Sequence, residues 1–359
     1  MNLVRLDDRC TTWGYAAALL LAATTACRTS SQGSPPPAAL TSAPPRAIPA
    51  APKASLRAHR EGADASALRS GVPSATADPS AASIVSGARS QAAAPPWRPD
   101  PERYPWLGDG TKLATAPVEP LSARFAPPTG YERIARDPTS FGGWLAELPL
   151  AAPGTPVVTY SGATAYPAAD RRIAAVAALD VGGADLQQCA DTVIRLHAEW
   201  TWARGRRDQS YQAAGGLALP YRRFSRGERL VYENSKLGWR PVGRATTDHV
   251  GFRQYLAQVF GWANTVSLAQ QARPVPISDV RAGDFFVMPG NPGHTVLVLD
   301  IATDPAGRQV ALIGQSYMPA QSFYVLRGPR GAWFDLDPTQ PLDTPFWQPF
   351  PWETLHRLD

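Results

Sequence analysis

Residues 284–316 read DFFVMPGNPGHTVLVLDIATDPAGRQVALIGQS, and this stretch decides the fold class. Two runs rich in Val, Leu and Ile, His294 to Ile301 and Arg308 to Gln315, flank Ala302-Thr-Asp-Pro-Ala-Gly307, whose Asp, Pro and Gly are turn formers. Asp284 to Met288 is a further strand upstream and Phe323 to Leu326 another downstream. Strands joined by links this short pair antiparallel, because parallel pairing needs a crossover of a dozen residues or more. If Ile301 faces Arg308 across the turn, His294 comes opposite Gln315, and opposed residues share a face. A slip of one would substitute Gly314 or Ser316.

Working upstream, the spacing predicts a helix over Asp185 to Trp202, with Asp185 as N-cap and Gln188 three residues on as its capping-box partner. Leu186, Cys189, Val193, Leu196 and Trp200 form its apolar stripe. A second helix is expected from Asp248 to Gln271, and short strands at Val157 to Tyr160 and Ile173 to Leu179. Helices followed by a meander give an α+β class with an antiparallel sheet and exclude an all-helical fold.

The amino-terminal third differs in kind. From Ser31 to Pro96 there is no aromatic residue and only seven Leu, Ile or Val among abundant Pro, Ala and Ser. Such a segment cannot bury enough apolar surface to offset its ordering entropy. It is expected to be a Pro/Ala-rich tether spanning roughly 50–60 Å by coil statistics. Before it, Arg5 and Arg9 precede an apolar run from Trp13 to Ala26, which reads as a signal peptide. The expected organisation is a signal peptide at 1–26, a lipid-anchored disordered tether at 27–125 and a globular α+β domain at 126–359, the return of aromatics at Trp97, Tyr104 and Trp106 making the last boundary soft between about 97 and 128. Ala26-Cys27 resembles the site at which bacterial lipoproteins are cleaved and lipidated. That resemblance implies a membrane anchor at Cys27, and Arg28 leans toward the outer membrane.

Of the 359 residues, 35 are Lys or Arg and 30 Asp or Glu, a formal net charge of +5. Most of that excess lies before residue 126; the remainder of the chain is close to neutral. A nucleic-acid partner, which needs a concentrated basic surface, is therefore not expected. Three cysteines, Cys10, Cys27 and Cys189, do not make a disulfide framework. The five histidines show no zinc-ligand spacing and no phosphate-cradling Gly-rich loop is present, so neither a metal nor a cofactor is expected.

Cys189 stands in the first turn of its expected helix, where exposed N–H groups and the macrodipole favour a thiolate. Its place on the apolar stripe equally suits an inert core thiol. His294 offers a base, with the Gln315 amide able to fix its tautomer; the alternative is a satisfied loop histidine beside a surface glutamine. Gly314-Gln315-Ser316 is half of a serine-hydrolase elbow, but Met318 stands where the second glycine belongs, so Ser316 is discounted as a nucleophile.

Asp279-Val-Arg-Ala-Gly-Asp284-Phe-Phe-Val with Gly293-His294-Thr-Val-Leu-Val-Leu resembles papain-like cell-wall amidases of the NlpC/P60 type. The resemblance implies Cys189 as nucleophile, His294 as base and Gln315 as the polar third member, on an antiparallel sheet packed against a helix that begins with the cysteine. It departs at Gln188-Cys189-Ala190, where Asp-Cys-Ser/Gly is usual, and in the length between Cys189 and His294, where Arg204 to Arg229 would belong to a helical insertion. Phe141-Gly-Gly-Trp-Leu145, Leu186-Gln-Gln-Cys189-Ala-Asp191, Pro292-Gly-His294 and Gln315-Ser-Tyr-Met-Pro-Ala-Gln321 look like the bacterial family catalogued as domain of unknown function 4846, which implies no activity. The expected function is an exported cell-envelope cysteine amide hydrolase acting on peptide or cell-wall material. The alternative is a non-catalytic wall-binding or structural envelope lipoprotein on the same fold.

Overall fold

A computed structural model describes residues 97–110, 113 and 115–359, all within one compact unit. The signal peptide, Cys27 and the tether up to residue 96 lie outside the described residues. In chain order the elements are β1 (Pro117–Pro120), α1 (Leu121–Arg124), β2 (Glu132–Arg133), α2 (Phe141–Ala146), β3 (Pro149–Ala151), β4 (Val157–Val158), β5 (Thr164–Tyr166), β6 (Ile173–Val176) and α3 (Cys189–Ala203). Then come β7 (Ser210–Gln212), β8 (Ala218–Pro220), α4 (Tyr221–Ser225), β9 (Arg229–Glu233), β10 (Lys236–Arg240), α5 (His249–Phe260) and α6 (Thr265–Gln271). The chain closes with β11 (Arg273–Pro274), β12 (Phe285–Met288), β13 (His294–Thr303), β14 (Gln309–Gln315), β15 (Tyr324–Leu326), β16 (Trp333–Asp335) and β17 (Leu355–Arg357).

The fold is α+β around an antiparallel sheet in the order β11-β17-β12-β13-β14-β15-β6, with β2 beside β13 and β16 beside β14. Alternation along the strands makes two cores. Leu297, Leu299 and Leu312 face helices α3 and α5 through Val193, Leu196, Phe252 and Leu256. Val296, Val298 and Ile313 face the other way, toward Phe350 and Leu355 of the carboxy-terminal segment. Each such fully buried aliphatic contributes on the order of 1.5–3 kcal/mol over its exposed state.

Two expectations about the helices are corrected. Helix α3 begins at Cys189, not at Asp185: Gln188 is the N-cap, and Asp191 at the third helical position returns the capping-box bond to the Gln188 N–H. Asp185 instead accepts from Ala320 N and Gln188 Nε2. The expected helix over 248–271 is two, because Asn264 caps a new start with its own capping box to Ser267. The region between α3 and β13 is not simply helical, since it carries the ribbons β7–β8 and β9–β10 besides α4, α5 and α6.

The packed region also starts before residue 126. Tyr104 and Trp106 are fully buried, with Tyr104 Oη donating to Trp144 O at 2.8 Å and Trp106 Nε1 to Ala178 O at 2.9 Å. Of the stretch 27–125 assigned to a tether, the described part from residue 97 thus belongs to the body. The return of aromatics at Trp97, Tyr104 and Trp106 marks this edge in the sequence, since a few well-placed aromatics suffice to dock an otherwise polar segment.

A chain of buried charges ties this segment to the helices. Arg195, wholly buried on α3, pairs with Asp180 at 2.5 Å and Glu199 at 3.1 Å, and Arg253 on α5 also reaches Asp180 at 2.8 Å. His249 bridges Glu199 at 2.7 Å and Asp109 at 2.6 Å. Burial opposes ionisation of Asp180, but Arg195 and Arg253 outweigh it and hold its carboxyl well below the usual range. At the start of β12, Asp284 binds Arg357 of β17 in a buried bidentate pair, which fixes the strand leading to the β12–β13 turn. Removing one partner of such a pair costs about 3–5 kcal/mol. Among the described residues no helix is long and apolar enough to cross a membrane.

Candidate active site

The two ends that meet are the first turn of α3 and the start of β13. Gln188 in extended conformation turns the chain into α3, so the Cys189 side chain emerges at the helix mouth rather than along its length. On the other side, β12 and β13 pair from Phe285↔Leu297 to Met288↔His294, which puts the turn 289–293 directly before the histidine. Gly293 has no room for a side chain: a Cβ there would meet Thr265 Oγ1, Gly290 N at 2.7 Å and Met288 O at 2.8 Å.

Cys189 Sγ lies 3.9 Å from Gly293 O, and the Thr295 N–H also bears on the thiol, so the sulfur packs against the peptide groups on both sides of His294. No hydrogen bond joins Cys189 to His294 itself, whose Nδ1 is buried without a partner. His294 Nε2 lies 2.9 Å from Gln315 Oε1, and Gln315 Nε2 donates to Tyr324 Oη at 2.8 Å. The amide thus turns its oxygen to the imidazole and its nitrogen to the tyrosine. His294 therefore carries its proton on Nε2, leaving the Nδ1 lone pair bare. Trp347, Tyr317 and Phe350 surround the ring, with centroids at 4.8, 5.0 and 6.1 Å.

Burial governs the electrostatics. It pushes the Cys189 thiol, 5% exposed, up to about 11, with the Asp191 charge adding to the shift. It pushes the His294 imidazole down to about 4 against the help of Gln315. Near neutral pH the pair is thus thiol and imidazole, both uncharged. The expected thiolate is overruled: the helix terminus supplies at most about 2 kcal/mol, and the upward shift shows that desolvation exceeds it.

Beside the thiol opens a cleft of about 680 Å³, walled by Cys189 and Asp191 of α3, Asn264 and Thr265 of α6, and the turn from Gly290 to Gly293. Ser316 is buried with its Oγ donating to Gln321 O, a structural role. The other described histidines are held elsewhere: His197 by Tyr211 at 3.1 Å, His249 in the charge chain, His356 on Thr354 O at 2.9 Å. Of the arginines after α3, Arg207 lies over Trp202 at 3.4 Å, Arg229 over Phe224 at 3.7 Å, and Arg223 pairs with Glu228. Sequence reading missed Tyr324, which orients Gln315, and Trp347, which shields His294. Tyr324 sits in a predicted strand nine residues after Gln315, but Trp347 lies in the irregular Pro-rich tail, where no periodicity marks it.

The family model described as domain of unknown function 4846 matches residues 121–357. The chain belongs to this family. No curated protein and no solved structure matches it. Within the family match lie Cys189, His294, Gln315 and Asp191; Tyr104 and Trp106 lie upstream of it.

Proposed function

We propose that this member of the family is a cysteine amide hydrolase with a papain-like arrangement, acting on peptide or cell-wall material, in which Cys189 is the nucleophile, His294 the base and Gln315 the group that orients the base. The observation that carries the reading is the bare, buried Nδ1 of His294, fixed by Gln315 from behind and flanked by the peptide groups against which the Cys189 thiol packs. An imidazole held merely for packing has no need of an oriented amide on one nitrogen and an empty site on the other.

In the proposed reaction His294 Nδ1 takes the Cys189 proton as the sulfur attacks the amide carbonyl carbon. The S–C bond forms, the C–N bond breaks, and the departing amine takes the proton from Nδ1. Water then gives a proton to Nδ1 and its oxygen to the acyl carbon; the carboxylic acid leaves and the thiol recovers its proton. Opposite charges formed within one buried site attract, which offsets part of the cost of the first transfer.

The upstream sequence supports an exported protein anchored in the envelope through a lipid at Cys27, most consistent with an outer-membrane lipoprotein. Intact-mass measurement of the membrane fraction should then show an acylated chain starting at Cys27; a soluble chain starting elsewhere would refute the anchor. A second reading, a non-catalytic envelope-binding domain on the same fold, is favoured by one observation, the uncharged resting thiol. Incubation with isolated cell-wall sacculi and with a denatured protein substrate, followed by mass spectrometry of released peptides, separates the two. Hydrolysis lost in both Cys189→Ala and His294→Ala is expected. Binding without any Cys189-dependent cleavage would leave the second reading in its place.

A further inference from the structure

The cleft beside Cys189 is acidic in a chain that is basic as a whole. The carboxyl side chains that line it are Asp185 and Asp191, and no lysine, arginine or histidine is among its described lining residues. Asp185 is satisfied by Ala320 N at 2.6 Å and Gln188 Nε2 at 3.0 Å. Asp191 is not. Its Oδ2 accepts from Gln188 N at 3.2 Å, while Oδ1 is buried with no hydrogen-bond partner on a residue only 6% exposed.

An isolated buried carboxyl is costly and is ordinarily replaced or paired. The capping of α3 explains one of its oxygens and leaves the other without a structural use. Resting on the hydrolase reading, we infer that Asp191 determines the specificity of this cleft, its Oδ1 receiving a primary ammonium group that the substrate carries close to the scissile amide. The carboxyl stands two residues from the nucleophile in the same first turn of α3, so the ammonium and the reacting carbonyl belong to the same part of the substrate. Burial holds the Asp191 carboxyl well above its usual range, and an ammonium seated on it supplies the partner that lets it ionise.

The test uses the full chain and two small thiol reagents of similar size, the cationic aminoethyl methanethiosulfonate and the neutral methyl methanethiosulfonate, with rates at Cys189 normalised to those at the unfolded protein's thiols. The cationic reagent should be favoured about tenfold, equivalent to about 1.4 kcal/mol. Asp191→Asn, which keeps an acceptor for the Gln188 N–H, should abolish that preference. Protection against the neutral reagent by alanine amide or by Nα-acetyl-lysine amide, with Nα-acetylalanine amide as the uncharged comparison, tells an amino terminus from a side-chain amine. A wild-type protein that shows no cationic preference overturns the inference whatever the variant does. If Cys189 reacts in a His294-dependent way without charge preference, only the role of Asp191 falls; if His294→Ala leaves its reactivity unchanged, the hydrolase reading falls with it.

Discussion

At Cys189 and His294 the decisive quantity is desolvation. The sequence places a thiol at a helix start and an imidazole at a strand start, and both placements hold. What sequence could not show is the aromatic cover of Tyr317, Trp347 and Phe350, which withdraws the imidazole from water and keeps it neutral down to about 4. Alkylation of Cys189 by iodoacetamide should therefore be slow at neutral pH and climb as pH rises toward about 11, with no plateau in mild acid. The ultraviolet absorbance of the thiolate, compared between the native protein and Cys189→Ser, checks the titration directly. Gln315→Ala should cost turnover about tenfold or more by freeing the imidazole to rotate, less than the roughly 10²–10⁴ expected for His294→Ala. Rate measurements on both variants at one pH decide the order.

The hairpin β13–β14 shows how a register can miss and the pairing survive. Near the turn the partners are Thr303↔Gln309 and Ile301↔Ala311, three residues from the register with Ile301 opposite Arg308. A bulge between Val298 and Asp300 then shifts the pairing to Val298↔Ile313 and Leu297↔Gly314. Continued along the strands, the shifted register sets Gln315 beside Val296, so it meets His294 diagonally on the same face instead of head-on, a separation a long amide spans. Without the bulge the two would lie on opposite faces. No residue between Val298 and Asp300 advertises it: the run is unbroken Val, Leu and Asp, with neither Gly nor Pro. The β12–β13 turn is the other place where one residue governs the element. Gly293→Ala should destabilise the domain by about 1–3 kcal/mol and move His294, because two of the atoms a Cβ would meet are backbone. Gly183→Ala, with open space around its Cβ position, is the control. Denaturant midpoints of the two variants should differ accordingly; equal midpoints would contradict this account of the turn.

Over the whole molecule, two buried imidazoles set the response to acid. Burial lowers both His197 and His294 from 6.5 to about 4. Unfolded, each takes a proton below about 6.5; folded, each refuses it until about 4. Their contribution is therefore full above pH 6.5 and falls as pH drops through that window, by roughly 3 kcal/mol for each histidine at most, whereas Asp191, raised by burial, binds its proton more readily folded than unfolded and opposes that decline. The depressed carboxyls Asp180 and Glu199 contribute stability above the ordinary carboxylate range, which is lost only at still lower pH. Denaturant unfolding at a series of pH values from about 7.5 to about 4.5 should show the first decline, and a flat profile would count against the buried neutral histidines. The α+β class, the antiparallel meander and the meeting of His294 with Gln315 were legible because strand runs and helix starts carry local signals. The domain edge was legible only as a range, because Tyr104 and Trp106 mark it but find their partners Trp144 and Ala178 far along the chain. A chain cut to begin at residue 126 should be less stable than one beginning at residue 97, and Trp106→Ala alone should cost about 3–5 kcal/mol by calorimetry or denaturant titration. That docked segment has a mechanical side as well. Trp106 lies under the Arg195 guanidinium at 5.8 Å, and Arg195 belongs to the helix whose first residue is Cys189. A pull on the amino-terminal side would therefore load α2 through Tyr104, the chain after β6 through Trp106 and α3 through Arg195 together.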